Sequence, residues 1–275
     1  MLDFTGKAVL VTGGAGGIGS AVGCAAARAG ARVMLVDQDA AGADVAAAIR
    51  ASGGECDFFQ ADVSRSEAVQ AYVERTLQRF GGIDSFVNNA GMLGPVATLA
   101  DYDESAFDRL LAVNVRGIFL GLKHVLPVML RAGRGTVVNT SSTAAATPSP
   151  GMGPYAATKA AILGLSAAAA GEAGPHGVRV NAVCPGAIDA GIYTELRSAL
   201  STDAAKFDAQ VRANIPTGRL TTADEVADTI LFLASALSGN INGASITIDG
   251  ARGAVSGSFS GRASGVPSPA ARSHD

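Results

Sequence analysis

The chain has 275 residues, 48% of them hydrophobic and 16% charged, with a formal net charge of -3. This composition supports a sizeable core and gives no electrostatic reason to expect nucleic acid or an anionic membrane as a partner. Three cysteines, Cys24, Cys56 and Cys184, lie far apart without a C-x2-C pair, so a disulfide framework or a metal site is not expected and a reduced, cytoplasmic setting fits best.

Met1–Lys7 carries an early acid and a late lysine, not the basic and then apolar order of a secretory leader. No uninterrupted apolar run reaches the ~18 residues of a membrane span. In chain order, Lys7–Thr12 reads as a strand and Ile18–Arg28 as a helix, joined by the glycine-rich turn Thr12-Gly13-Gly14-Ala15-Gly16-Gly17-Ile18-Gly19. Strand, glycine turn, helix is the context of a pyrophosphate cradle: bare backbone N–H groups approach the anion and the helix N-terminus adds favourable potential. The spacing fits both T-G-x3-G-x-G through Gly13, Gly17 and Gly19 and G-x2-G-x2-G through Gly13, Gly16 and Gly19.

Ala31–Val36 is the next strand and Asp37 closes it. A carboxylate there accepts from both hydroxyls of an adenosine ribose and repels a 2'-phosphate, and with Gly16 in the turn and Gln38 and Asp39 following, no base awaits such a phosphate; NAD is favoured over NADP. The competing role for Asp37 is capping the following helix. Helix Ala40–Ala51, strand Cys56–Gln60, helix Ser66–Phe80, strand Ile83–Asn88, helix Glu104–Arg131, strand Thr136–Thr140, helix Tyr155–Ala173 and strands Val178–Cys184 and Ser245–Ile248 complete the alternation. Apolar strands without polar alternation are covered on both faces, and strand–helix alternation means parallel βαβ units. The expected fold is α/β: one Rossmann-type doubly wound domain over residues 1–250, a seven-stranded parallel sheet with helices on both faces. Residues 251–275, rich in Gly, Ser, Ala, Arg and Pro, read as a low-complexity, disordered tail, with an arm across a subunit interface as the alternative.

Tyr155 and Lys159 stand four apart on a predicted helix and therefore share a face. An ammonium beside a phenol favours phenolate, which makes a general acid/base for an alcohol or a carbonyl.

Taken together, Thr12–Gly19, Asp62, Asn88-Asn89-Ala90-Gly91, Asn114, Ser141-Ser142, Tyr155-x3-Lys159 and Pro185-Gly186 resemble the short-chain dehydrogenase/reductase family, in its compact, NAD-preferring branch, over roughly residues 3–250. The resemblance settles the turn as T-G-x3-G-x-G. It implies that Tyr155 is the acid/base, that Lys159 lowers its pKa and holds the nicotinamide ribose, and that Ser142 orients the substrate, with Ser141 as competitor. It further implies that Asn114 holds a water in a proton relay; a core amide satisfying the backbone is the other role open to it. Asp62 and Val63 would contact adenine, Asn89, Ala90 and Gly91 the ribose side, and Pro185, Gly186 and Ile188 the nicotinamide end. One departure stands out: Ala190 occupies the place of the family's usual threonine or serine, a role that Thr194 could take after a loop shift.

Substrate identity would be written in Met92–Ala97, Thr143–Pro154 and Ala187–Pro216. Ser142, Tyr155, Met152, Leu93, Ile192 and Tyr193 suggest a fairly apolar, uncharged pocket. Thr194–Arg212 reads as a helical part of a mobile lid spanning about 187–216. Arg197, Lys206 and Arg212 read as a solvated face, with an anionic substrate as the alternative.

The helix Tyr155–Ala173 is small and apolar almost all round, so one face is expected on the sheet and the other on a partner subunit. With the resemblance, this implies a homotetramer. The expected activity is NAD-dependent interconversion of a small, largely uncharged secondary alcohol and its ketone (a cyclic alcohol, diol, sugar or steroid-like molecule). A 3-oxoacyl-carrier-protein reductase is the alternative enzyme, and a non-catalytic dinucleotide-binding sensor the alternative from another class.

Overall fold

Runs of Val, Ile and Leu, and in β3 a Phe-Phe pair, form strands β1 (Ala8–Thr12), β2 (Arg32–Asp37), β3 (Glu55–Gln60), β4 (Ser85–Asn88), β5 (Gly135–Thr140), β6 (Val178–Pro185) and β7 (Ser245–Ile248). They make one seven-stranded sheet in the order β3-β2-β1-β4-β5-β6-β7, with every pairing parallel. The structure is a computed structural model that describes residues 2–254. The tail expected beyond residue 250 lies, from residue 255 on, outside the described residues.

The helices are α1 (Gly17–Arg28), α2 (Gly42–Ala51), α3 (Ser66–Phe80), α4 (Glu104–Leu111), α5 (Gly117–Ala132), α6 (Gly153–Ala173), α7 (Ile192–Leu200), α8 (Ala204–Ala213) and α9 (Ala223–Ala234). Successive strand residues point to opposite faces, and the apolar residues divide accordingly. Val9, Val11, Val33 and Leu35 pack with Val22 and Ala26 of α1, Ile49 of α2 and Ile230 of α9. Leu10, Met34, Phe86 and Val137 pack with Tyr72 of α3, Val125 and Met129 of α5 and Ile162 of α6. The result is the three-layer, doubly wound Rossmann arrangement.

Three features depart from the sequence expectation. The helix expected over Glu104–Arg131 is α4 joined to α5 through a π-turn at Ala112–Arg116, a local widening of the kind often found at functional sites. The lid helix expected over Thr194–Arg212 is two helices. The chain is extended at Ser201 (φ -151°, ψ 140°), and Asp203 starts α8 by accepting from the Lys206 N–H at 3.0 Å. The structure also contains α9, which the periodicity leaves out; it is opened by a reciprocal capping box between Thr222 and Glu225.

The helical run Glu104–Ala132 is long and apolar enough to cross a membrane by length and composition. Its apolar residues Ile118, Leu120, Leu122, Val125 and Met129 are nevertheless buried in the core against the sheet.

Candidate active site

The strand order reverses between β1 and β4, and the carboxyl ends of the strands open there into a cleft of about 660 Å³. In doubly wound sheets this is where a ligand sits, and the volume is in the ordinary range for small-molecule sites.

The glycine turn is held in one shape. Gly13 adopts φ +71°, and a Cβ on it would lie 2.8 Å from Asn89 Nδ2. A Cβ on Gly19 would lie 2.0 Å from the Gly13 carbonyl oxygen, so no other residue fits the first turn of α1. Thr12 ties this turn to the β4 loop: its Oγ1 accepts from the N–H groups of Asn89 (2.9 Å) and Ala90 (3.1 Å), while Asn89 Nδ2 donates to the Thr12 carbonyl at 3.0 Å. Gly16 caps α1 without any side-chain hydrogen bond, and Gly16, Gly17 and Ile18 line the cleft. Unclaimed first-turn N–H groups over a surface without side chains fit a diphosphate.

Asp37 does not cap α2, whose N-cap residue, Ala41, makes no side-chain cap bond. The Asp37 carboxylate instead accepts from the Ala15 N–H at 2.9 Å and from the Asp39 N–H at 3.0 Å. It is thereby fixed beside the glycine turn, and each oxygen keeps a lone pair. Gln38, Asp39, Asp62 and Val63 line the same end of the cleft, and among the described residues the only basic groups on the cleft wall are Lys159 and Arg252. Asn89, Ala90, Gly91, Pro185, Gly186 and Ile188 also line it, whereas Gly19, expected among the cofactor residues, is buried behind the turn against the Gly13 carbonyl and does not line the cleft.

Tyr155 and Lys159 lie one turn apart on α6, the Lys159 Nζ 5.6 Å from the centre of the Tyr155 ring. Both are buried, at 7% and 2% exposure. Lys159 donates to the Thr140 carbonyl at 3.0 Å. Burial pushes its pKa down to about 8. Burial pushes the Tyr155 phenol up, to about 12; the hydrogen bond with Ser142 works against this and the Glu195 carboxylate adds to it. Desolvation is the largest influence on the phenol, and the Lys159 ammonium beside it is itself desolvated and committed to a carbonyl.

The two serines bond differently. Ser141 is buried and donates to the Lys159 carbonyl at 2.7 Å, which pins β5 to α6. Ser142, which like Ser141 lines the cleft, opens the short helical turn Thr143–Ala145 by accepting from the Ala144 N–H at 3.2 Å and donates to the Pro185 carbonyl at 3.4 Å. Asn114, fully buried in the π-turn, accepts from the Met92 N–H at 2.8 Å and donates to the Met92 carbonyl at 2.9 Å and to Thr158 Oγ1 at 3.1 Å. It does the core amide's work. A Cβ on Gly91 would lie 3.3 Å from both Asn114 Oδ1 and Lys159 Nζ, so both polar groups lie close to the bare backbone there.

On the substrate side, Leu93, Leu110 and Tyr155 form an apolar cluster with Met92, Met152, Ile192 and Leu196 packed against it. Met152, Ile192 and Tyr193 line the cleft as expected. The Tyr193 hydroxyl, however, is already used: it donates to Asp208 Oδ1 at 2.7 Å. Arg197 binds the other oxygen of Asp208 at 3.0 Å and approaches Asp189 at 3.9 Å, which clasps α7 to α8. Arg197, Lys206 and Arg212 do not line the cleft. Thr194 does not line it either. Ala190 does line it, against the glycine turn: a Cβ on Gly17 would meet Ala190 Cβ at 2.6 Å. Thr158 and Glu195 are site residues that the motifs do not flag, because hydroxyls and carboxylates of this kind are too common to be marked by spacing alone.

The chain matches the family model described as enoyl-(acyl carrier protein) reductase over residues 13–251. It is 37% identical to 2-(S)-hydroxypropyl-CoM dehydrogenase 3 of Xanthobacter autotrophicus over 90% of this chain and 97% of that protein. Levodione reductase of Leifsonia aquatica is 36% identical over 92% of this chain and 96% of its own length. A crystal structure of levodione reductase superposes with a TM-score of 0.88, covering 92% of this chain and all of the other, at 36% identity. A crystal structure of NAD+-bound xylitol dehydrogenase gives a TM-score of 0.85 at 33% identity, over 90% of this chain and 99% of the other.

Proposed function

This chain belongs to the short-chain dehydrogenase/reductase family, and from that premise we propose that it is an NAD-dependent oxidoreductase interconverting a small, largely uncharged secondary alcohol and its ketone. The observation that carries the proposal is Tyr155: a buried phenol that lines an apolar cleft together with Ser142 and is backed by Lys159. The names of the relatives, among them xylitol dehydrogenase and levodione reductase, are of the same reaction class.

In this reading the glycine turn, Asp37, Asp62, Val63, Asn89, Ala90 and Gly91 hold the adenosine and diphosphate, and Pro185, Gly186 and Ile188 the nicotinamide end. The dinucleotide, when bound, accepts or gives the hydride. Tyr155 takes the proton from the alcohol or returns it to the ketone oxygen. Ser142 donates to the reacting oxygen and stabilises the charge that develops there. Lys159, with its ammonium near Gly91 and Asn114, holds the ribose and passes the proton outward through water at Asn114.

The preference for NAD rests on Asp37, held by two backbone N–H groups at a cleft end without a base. Titration of the protein with NADH and NADPH is expected to give tight NADH and weak NADPH binding. Asp37→Ser should narrow that gap on the order of a hundredfold, because the carboxylate's repulsion of a 2'-phosphate is removed. An unchanged ratio in the variant would overturn the assignment of Asp37. A panel of secondary alcohols at alkaline pH, with the tighter cofactor, then tests the reaction itself.

The assembly we propose is a homotetramer in the cytoplasm, with residues 1–250 as one catalytic domain and 187–216 as its lid. Phe119 is 47% exposed and Leu237 73% exposed. Phe119 borders an apolar groove with Leu111, Ala112, Val115 and Leu165, next to the small outward face of α6. Light scattering during size-exclusion chromatography would give four chain masses; a monomer would exclude this assembly.

A further inference from the structure

α7 presents one face to the cleft. Ile192, Leu196 and Leu200, at helical spacing, line it, and Ile192 and Leu196 pack on the apolar cluster that includes Tyr155. Residues i, i+3 and i+4 share a helix face, so that apolar stripe includes position 195, and position 195 is a glutamate lining the cleft. The other polar residues of the helix behave differently. Arg197 turns to Asp208 and Asp189, and Ser198 donates to the Thr194 carbonyl.

Among the described residues the Glu195 carboxylate makes no ion pair and no side-chain hydrogen bond, whereas its own N–H is satisfied by the Gly191 carbonyl at 3.2 Å. Its charge reaches Tyr155 and holds the phenol up. The other carboxylates on the cleft wall, Asp37, Asp39 and Asp62, follow β2 and β3 at the adenosine end. Glu195 is exposed to solvent at the cleft mouth, so it tolerates its charge without a partner; a ligand that covers it must supply one.

We infer that Glu195 is a specificity-determining residue: its carboxylate receives an O–H or N–H donor carried by the substrate beyond the reacting alcohol, and it excludes substrates bearing a negative charge. The inference rests on the proposed dehydrogenase reading for its substrate, and it narrows that substrate to apolar rings or chains with a second donor group, such as diols. An apolar wall holds the carbon frame while one carboxylate fixes which hydroxyl is presented to Tyr155. A bland apolar pocket cannot make that choice, because adding a hydroxyl changes its binding little.

The test compares cyclohexane-1,2-diol, cyclohexanol and 4-hydroxycyclohexanecarboxylate as matched probes, with wild-type protein and Glu195→Gln, in saturating NADH. Binding is read by calorimetry, so no turnover is required. The wild type is expected to bind the diol about tenfold more tightly than cyclohexanol and to bind the carboxylate most weakly, from the ordinary strength of a hydrogen bond to a charged group discounted for exposure. Glu195→Gln should bring the diol within about threefold of cyclohexanol and tighten the carboxylate about tenfold. Glu195→Asp, which keeps the charge, should keep the order of the three probes.

A wild type that does not prefer the diol, or a Glu195→Gln protein with the wild-type order, overturns the inference. Oxidation of the same alcohols by NAD+ is scored separately. Turnover with unchanged selectivity in the variant leaves the dehydrogenase and removes Glu195; a collapsed selectivity without turnover does the reverse.

Discussion

Replacing Tyr155 with Phe is expected to lower kcat by about 10² to 10⁴, the usual contribution of a positioned acid/base, while NADH binds within about threefold of wild type. The ring stays because the cluster of Leu93 and Leu110 needs it; only the hydroxyl is removed, so the loss reports proton transfer and not collapse of the wall. The pH dependence has a definite sign. Burial holds the phenol up to about 12, so the phenolate needed to accept a proton from an alcohol is scarce at neutral pH and increases on the alkaline side. Alcohol oxidation should therefore rise with pH above neutrality, and ketone reduction, which needs the protonated phenol, should not. Stopped-flow single-turnover rates across this range would show it, and Tyr155→Phe should flatten the rise. A Tyr155→Phe protein with near-wild-type rates would end the assignment.

The second large effect is expected at Gly19. A methyl group there would sit 2.0 Å from the Gly13 carbonyl oxygen, which is backbone and cannot step aside unless the turn opens. Gly13 is in turn fixed by its φ of +71° and by Asn89 and Ala90, which Thr12 holds. Gly19→Ala should therefore cost about 1–3 kcal/mol or more in stability, the range for overpacking a filled site. Dinucleotide affinity should fall at least about tenfold, because the N–H groups that meet the diphosphate lose their common aim. Gly82→Ala is the control: a Cβ at Gly82 meets nothing within 4 Å, and the change should be neutral or slightly stabilising. Chemical denaturation and NADH titration of both variants separate the two cases. Equal behaviour would mean that the turn is not the rigid element described here.

The legible and illegible parts of the fold differ for physical reasons. The central strands β1, β2, β5 and β6 could be placed from their Val-rich runs, since covered strands need apolar side chains on both faces. The break in the lid has a local cause that the sequence does contain, a capping aspartate at Asp203, but helical periodicity on either side hides it. The same holds for α9, whose capping box Thr222-x-x-Glu225 is a local signal. The π-turn at Asn114 has no comparable signature. The buried amide it carries bonds Met92 and Thr158, residues distant in sequence.

The site divides along the same line. By itself the sequence determined which chemistry is present: a glycine turn after a strand, an acid closing the next strand, and a tyrosine and lysine one helical turn apart. Those relations are local, set by backbone sterics and by the periods of strand and helix. Tertiary structure alone decided how that chemistry is tuned. It buried Tyr155 so that desolvation raises its phenol, gave the Ser141 hydroxyl to the Lys159 carbonyl beside a cleft-lining Ser142, spent Arg197 and the Tyr193 hydroxyl on Asp208, and placed Glu195 on the cleft wall. Charge, dielectric and hydrogen-bond supply at a point depend on groups distant in sequence that the fold brings within a few ångströms, and no local pattern encodes them.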